Sequence, residues 1–191
     1  MKQFREEVEA ALEALLLQQI ILYPTDTVWG LGCDAEVSRA VERLYALKGR
    51  SAGQPSIVLV ADLAMLSRYA EAVPLVLAEE LGRASERPTT FILPASRVVA
   101  AGLLGPDGTV GLRIPQDEFC LKLLRRLGHG IVSTSANLSG QPTPGVYSEI
   151  DPVIIRKVDH VVGWRQDDAT RATPSRLVRL GEDGQVEVLR A

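Results

Sequence analysis

The sequence predicts a single α/β domain, built on one mixed, twisted sheet with helices packed on it. Three observations carry this. Apolar residues switch along the chain between a helical spacing and short buried runs of strand length. Gly, Pro or Asp stands where an element should start or stop. Strands mostly alternate with helices, but hairpin-like pairs also occur, so the sheet should be mixed.

Taken in order, Phe4, Val8, Leu12, Leu15 and Leu16 recur at helical spacing and predict a first amphipathic helix. Residues 20–23, stopped by Pro24, read as a buried strand. Val37, Val41, Leu44, Tyr45 and Leu47 mark a second helix with Gly49 as its cap, so Lys48 and Arg50 should flank an exposed helix end. Residues 56–60 read as a strand, and Asp62 as the N-cap of the next helix. Pro74 opens a helical stretch to about Arg83. A strand at 89–93 is bounded by Pro88 and Pro94, and the turn Gly105-Pro106-Asp107-Gly108 precedes a strand carrying Val110, Leu112 and Ile114.

Asp117 should cap a helix containing Phe119, Leu121, Leu123, Leu124 and Leu127, which Gly128 ends. Residues 130–133 form a buried strand running into Ser133-Thr134-Ser135-Ala136-Asn137. A loop at 140–147, a helix at 150–158 after Pro152 and a strand at 160–164 follow. Residues 166–174 are polar and unpatterned and read as a mobile loop. Residues 177–180 and 186–189 make a hairpin around Glu182-Asp183-Gly184. With no repeat and no linker, residues 1–191 read as one domain.

Composition narrows the function. The chain has 191 residues, 46% apolar and 24% charged, so it can bury a core and is not a disordered segment. Its net charge of −3 argues against general avidity for nucleic acid, though not against a local basic patch. Glu6, Glu7, Glu9 and Glu13 argue against a secretory signal, and no apolar run approaches the ~20 residues that span a bilayer. A cytoplasmic protein without membrane contact is expected. Cys33 and Cys120 have no metal or redox spacing and read as buried, reduced thiols. With only His129 and His160, neither a protein-held metal nor a Cys–His nucleophile pair is expected.

Two polar islands stand out, Lys48-Gly49-Arg50-Ser51 and Ser133 to Asn137, with Arg113 at a strand end between them. Each lies where a strand or helix should end, the usual place for an α/β site. Fixed cations beside neutral hydrogen-bonding groups suit phosphate transfer, whose transition state is stabilised by positioning and charge. Each piece alone has a plainer reading. Lys48 and Arg50 could complement a helix dipole in solvent. Thr25-Asp26-Thr27 could be a simple Asx or Ser/Thr turn. Ser133 to Ser135 could cap a following turn, since the Gly-x-Ser-x-Gly frame is missing. Gly30-Leu31-Gly32 does not follow its strand directly as a dinucleotide motif must, and its glycines are expected to allow a tight turn beneath a ligand.

Combination and order decide. Residues 23–35, Tyr-Pro-Thr-Asp-Thr-Val-Trp-Gly-Leu-Gly-Cys-Asp-Ala, resemble the opening signature of the YrdC-like family. Lys48-Gly49-Arg50 resembles its Lys-x-Arg motif, and Gly111-Leu112-Arg113-Ile114-Pro115 its Gly-x-Arg-x-Pro strand. Ser133 to Gly140 resembles its Ser-Thr-Ser-Ala-Asn-x-Ser-Gly segment, and Pro174-Ser175 with Val188-Leu189-Arg190 its C-terminal elements. The resemblance runs from about residue 20 to the end.

It implies an open twisted α/β sheet with a concave basic cavity, in the short, single-domain form. It also implies L-threonylcarbamoyladenylate synthase activity: L-threonine, bicarbonate and ATP give threonylcarbamoyl-AMP and pyrophosphate, for N6-threonylcarbamoyladenosine at position 37 of tRNA. By the same resemblance Lys48, Arg50, Ser135 and Asn137 carry the nucleotide and its phosphates. Thr27, Arg113 and Ser175 hold threonine and the nucleotide, and Arg190 closes over phosphate. Mg²⁺ is expected with ATP, and tRNA and proteins of the modification pathway are candidate partners. This chain departs from the family pattern in having Gln54-Pro55-Ser56 where Lys-Pro-Leu is common, and Arg176 where a Thr follows Pro-Ser. The rival is a non-catalytic nucleotide- or RNA-binding member, against which net acidity and few aromatic residues weigh.

Overall fold

The computed structural model describes residues 2–49, 56–74, 77, 80, 87–105, 107–181 and 185–191. All its strands join one open sheet. In chain order the elements are α1 (Lys2–Leu16), β1 (Ile21–Tyr23), β2 (Gly30–Asp34), α2 (Ser38–Lys48), β3 (Ile57–Leu59), α3 (Leu63–Tyr69) and β4 (Thr89–Pro94). There follow β5 (Thr109–Arg113), α4 (Glu118–Leu127), β6 (Ile131–Ser135), α5 (Pro152–Lys157), β7 (His160–Val161), β8 (Arg176–Leu180) and β9 (Val186–Arg190). The strand order is β7-β1-β2-β6-β3-β5-β4-β8-β9. The β1–β7, β3–β5 and β4–β8 pairs are parallel and the remaining pairs antiparallel, so the sheet is mixed as expected.

Local chemistry sets the helix ends. Asp62 accepts from Met65 N–H and Asp117 from Cys120 N–H, satisfying donors that the first turns leave open. Gly49 and Gly128 close α2 and α4 in the left-handed conformation, at φ 64° and 81°. Burial then divides the sheet faces. On one, Leu22, Leu31, Val58, Val132, Leu112, Phe91 and Val178 pack under Val41 and Leu44 of α2, Leu66 and Tyr69 of α3, and Ile154 of α5. On the other, Ile21, Tyr23, Leu59 and Ile131 lie under Val8, Leu12 and Leu15 of α1 and Phe119, Leu123, Leu124 and Leu127 of α4. Removing each such side chain from water contributes about 1.5–3 kcal/mol.

Some expectations change. Gly30 and Gly32 form no turn; they lie inside β2. They are needed there because the neighbours come close: a Cβ on Gly32 would stand 2.7 Å from Tyr23 Cε1 and 2.8 Å from Val132 O. The strand expected at 160–164 is only His160–Val161, because the chain turns at 164–167 to set Trp164 edge-on against Phe4. The final helix begins at Pro152, with Asp151 as its cap. Residues 166–174 follow an irregular path tied down by Arg165–Asp168 and Arg171–Glu149 ion pairs. The helix expected from Pro74 to Arg83 lies largely outside the described residues, as do residues 182–184 of the β8–β9 turn. Among the described residues, no helix is long and apolar enough to cross a membrane.

Candidate active site

A cavity forms where the covering helices stop. α1 and α4 shield Leu59 and Ile131. One pleat repeat along, the same face carries a cross-strand row of Ser133 on β6, Ile57 on β3, Gly111 on β5, Ile92 on β4 and Arg179 on β8. All five line a cavity of about 920 Å³, near the upper end of the ~300–1,000 Å³ usual for small-molecule sites. Gly111 keeps the middle of this floor low: a Cβ there would already touch Thr90 Cγ2 at 3.2 Å. Among the described lining residues the charges are Lys48, Arg113, Arg179 and Arg190 against Asp107, so the cavity favours anions.

Lys48 corrects an expectation. It does not sit at a solvated helix end; it is 4% exposed, and its Nζ donates to the Ser135 carbonyl oxygen at 2.5 Å. The cause is the segment after β6, which packs across the last turn of α2 and donates from Ser139 N–H to the Lys48 carbonyl. Arg50 lies outside the described residues. Ser135 Oγ donates to Asn137 Oδ1 at 2.5 Å, and Asn137 Nδ2 donates to the Leu138 and Gln141 carbonyls. Ser135 thus reaches the cavity from the end of β6, and Asn137 from the loop that follows, which it braces itself.

Thr27 and Arg113 meet on another wall. The turn after β1 is a Ser/Thr turn, with Thr27 N–H donating to Thr25 Oγ1. It presents Thr27 Oγ1 to Arg113 Nη1 at 2.9 Å. Arg113 Nη2 lies 3.5 Å from Asp26 Oδ1, while Asp26 Oδ2 accepts from Gln116 N–H. Arg113 is 2% exposed, so it is no surface strand end, and its buried Nε has no acceptor among the described residues. Ser175 is buried and shares a 2.7 Å hydroxyl–hydroxyl bond with Thr90. Arg190 donates from Nε and Nη2 to the Ser175 carbonyl oxygen. Burial first, and then the neighbouring Arg113 guanidinium, lower the Arg190 pKa from its ordinary value. Two cations held where each disfavours the other are a prepared place for an anion.

The departures are placed as well. Arg176 pairs with buried Glu80 at 2.7 Å and does not line the cavity. Ser56 lines the cavity and accepts from Tyr45 Oη; Gln54 lies outside the described residues. Neither histidine lines the cavity: His129 Nδ1 sits 3.3 Å from Asp34 Oδ1, and His160 is on β7. Among the described residues no three His, Cys, Asp or Glu side chains are grouped to hold a metal. Cys33 and Cys120 are buried free thiols, raised in pKa chiefly by burial.

Trp29 and Arg179 are among the lining residues that the sequence reading did not assign to the site. Trp29 walls the cavity with its ring 4.9 Å from that of Tyr147. Arg179 is the other; it stands two residues from Leu177 on the same face of a hairpin strand, and that spacing was the available signal.

The family model of Sua5, YciO and YrdC, described as "Telomere recombination", matches residues 13–191. The chain belongs to the Sua5/YciO/YrdC family. Within it, the chain is 35% identical over 162 residues to a threonylcarbamoyl-AMP synthase of Halorhodospira halophila, covering 85% of each chain. It superimposes on P. abyssi Sua5 complexed with L-threonine with a TM-score of 0.80 and 30% identity, covering 96% of this chain and 53% of that one. It therefore spans about half the length of that Sua5. Against E. coli YciO the TM-score is 0.81 and the identity 27%, covering 96% and 87% of the two chains. These likenesses agree with the open mixed sheet.

Proposed function

We propose that this Sua5/YciO/YrdC member is a threonylcarbamoyl-AMP synthase, using L-threonine, bicarbonate and MgATP for the tRNA modification. The observation that carries the reading is the convergence of Arg113, Arg190 and buried Lys48 on one cavity, beside the neutral donors of Thr27, Ser135, Asn137 and Ser175. Supporting it are relatives such as that of H. halophila, named as this synthase and similar over most of their length.

The chemistry suits such a lining. Threonine's ammonium group and bicarbonate give an N-carboxylate with loss of water and a proton. A carboxylate oxygen of that carbamate then attacks the α-phosphorus of ATP, and pyrophosphate departs. The reaction needs charge and position more than acid–base side chains, in keeping with a cavity that neither histidine lines. In this reading Arg113 and Thr27 hold the threonine carboxylate and hydroxyl. Lys48 faces the phosphates, a charge that Arg50 would add to, Ser135 and Asn137 orient the nucleotide, and Arg190 closes with Ser175. Mg²⁺ arrives with ATP as part of the substrate, and the recessed walls slow hydrolysis of the labile carbamate. The enzyme would work in the cytoplasm and hand its product to the tRNA-modifying proteins.

Incubation with MgATP, threonine and bicarbonate should release pyrophosphate only when all are present, and mass spectrometry should find threonylcarbamoyl-adenylate. Equal release without threonine would sink the reading in favour of a simple ATPase. Tight tRNA binding without any adenylate would favour the RNA-binding rival.

A further inference from the structure

We infer that Arg179 is a further phosphate-binding residue of the cavity, taking the outer phosphate groups of the nucleotide and of the departing pyrophosphate. The inference rests on the nucleotide reading of the site given above. Its own ground is sheet register. Ser133, Ile57, Gly111 and Ile92 are successive cross-strand neighbours on the cavity floor, and Arg179 is the next residue of that row. The alternation along β8 agrees: Val178 is fully buried on the helix-covered face, while Leu177 and Arg179 line the cavity.

The same register places Arg179 beside the other two arginines. Leu177, two residues before Arg179, pairs with Arg190. Gly111, two residues before Arg113, pairs with Ile92, and Ile92 with Arg179. A two-residue step along a strand is about 6–7 Å, and neighbouring strands lie about 5 Å apart. Three guanidiniums therefore rise from one face within the reach of a single oligophosphate. One carboxylate needs only one such fork, whereas a triphosphate or pyrophosphate presents several oxygens and several charges.

Glu187 completes the arrangement. It is the cross-strand partner of Arg179 and accepts from its Nε at 2.7 Å. Such a pair on a partly exposed strand contributes little stability by itself. It does fix the stem of a long side chain, and it lowers the local positive potential. The two residues should therefore have opposite effects on anion binding, which a merely structural cross-strand pair would not.

The test is equilibrium binding of ATP and of inorganic pyrophosphate, with AMP and L-threonine as controls, to wild type, Arg179→Gln and Glu187→Gln, each first checked by thermal melting. Arg179→Gln should weaken ATP and pyrophosphate by about threefold to thirtyfold, as for a partly exposed charge-assisted contact. It should leave AMP and threonine within about twofold, and its binding should depend less steeply on salt. Glu187→Gln should leave pyrophosphate binding unchanged or tighten it. Equal pyrophosphate affinity in wild type and Arg179→Gln, or equal loss in both variants, overturns the inference and leaves the synthase reading standing. No ATP binding by folded wild type overturns both. Should Arg179→Gln melt early, Arg179→Lys replaces it, keeping the charge but not the fork; unchanged pyrophosphate affinity in a charge-reversed Arg179→Glu/Glu187→Arg double variant would also count against the inference.

Discussion

Lys48 Nζ and the Ser135 carbonyl oxygen lie 2.5 Å apart, tying the last turn of α2 to the end of β6. Lys48 and Ser135, separated by 87 positions in the chain, thereby share one wall of one cavity. The contact gives Lys48 a structural job beside the chemical one proposed for it, and the two can be separated.

Lys48→Met keeps the apolar stem and removes the charge. Turnover in the pyrophosphate-release assay should fall about 100-fold or more, the scale of losing a positioned electrostatic group. Lys48→Met and Lys48→Ala should both leave the Ser135 carbonyl without its donor, at about 1–3 kcal/mol of stability. Near-normal turnover in Lys48→Met would assign the residue to structure alone.

Asn137→Ala removes the brace from Ser135, Leu138 and Gln141. ATP binding should weaken by about threefold to a hundredfold, the range for one lost hydrogen bond to a neutral or charged partner. An uncharged side chain cannot supply counterion release, so any tRNA affinity should not move. Paired titrations at fixed salt, with a non-hydrolysable ATP analogue and with tRNA, decide; loss on the RNA arm alone would reverse the assignment.

Gly32→Ala should destabilise the protein by about 1–3 kcal/mol through overpacking. The new methyl would press on the Tyr23 ring and on the fixed Val132 carbonyl oxygen. A urea midpoint equal to wild type would show that β2 and β6 can move apart without strain.

His129 is raised in pKa, first by the Asp34 carboxylate 3.3 Å from its Nδ1, against the opposing effect of burial, with Glu36 adding to the rise and Arg68 opposing it. A folded-state pKa above the unfolded value means that protonation favours the fold. That contribution is complete below the unfolded histidine value of about 6.5 and disappears as pH rises through the higher folded value. Stability of wild type relative to His129→Asn should therefore be greater in mildly acidic than in mildly alkaline buffer. A difference independent of pH in chemical denaturation would dismiss the Asp34–His129 interaction as a source of stability.

The helix ends were readable because their causes are local. Asp62, Asp117, Gly49 and Gly128 each act within a few residues of themselves. The burial of Lys48 was not readable, since it depends on residues 135–139 arriving from β6. Gly30 and Gly32 looked like turn residues because a strand's need for close approach leaves no local trace. Thr27 and Arg113 were visible as separate motifs, but their 2.9 Å contact follows only from the strand order. Arg179 belonged to no motif in the sequence, and only register sets it on the cavity floor.

The two tryptophans fall in unlike surroundings. Trp29 forms cavity wall against Tyr147, whereas Trp164 rests on Phe4 beside α1 and α4. Excited at its indole band, the molecule therefore carries one chromophore beside the cavity proposed for the nucleotide and one away from it. With Trp164 replaced by Phe, the remaining emission becomes a label-free optical gauge of occupancy, read in real time and without turnover.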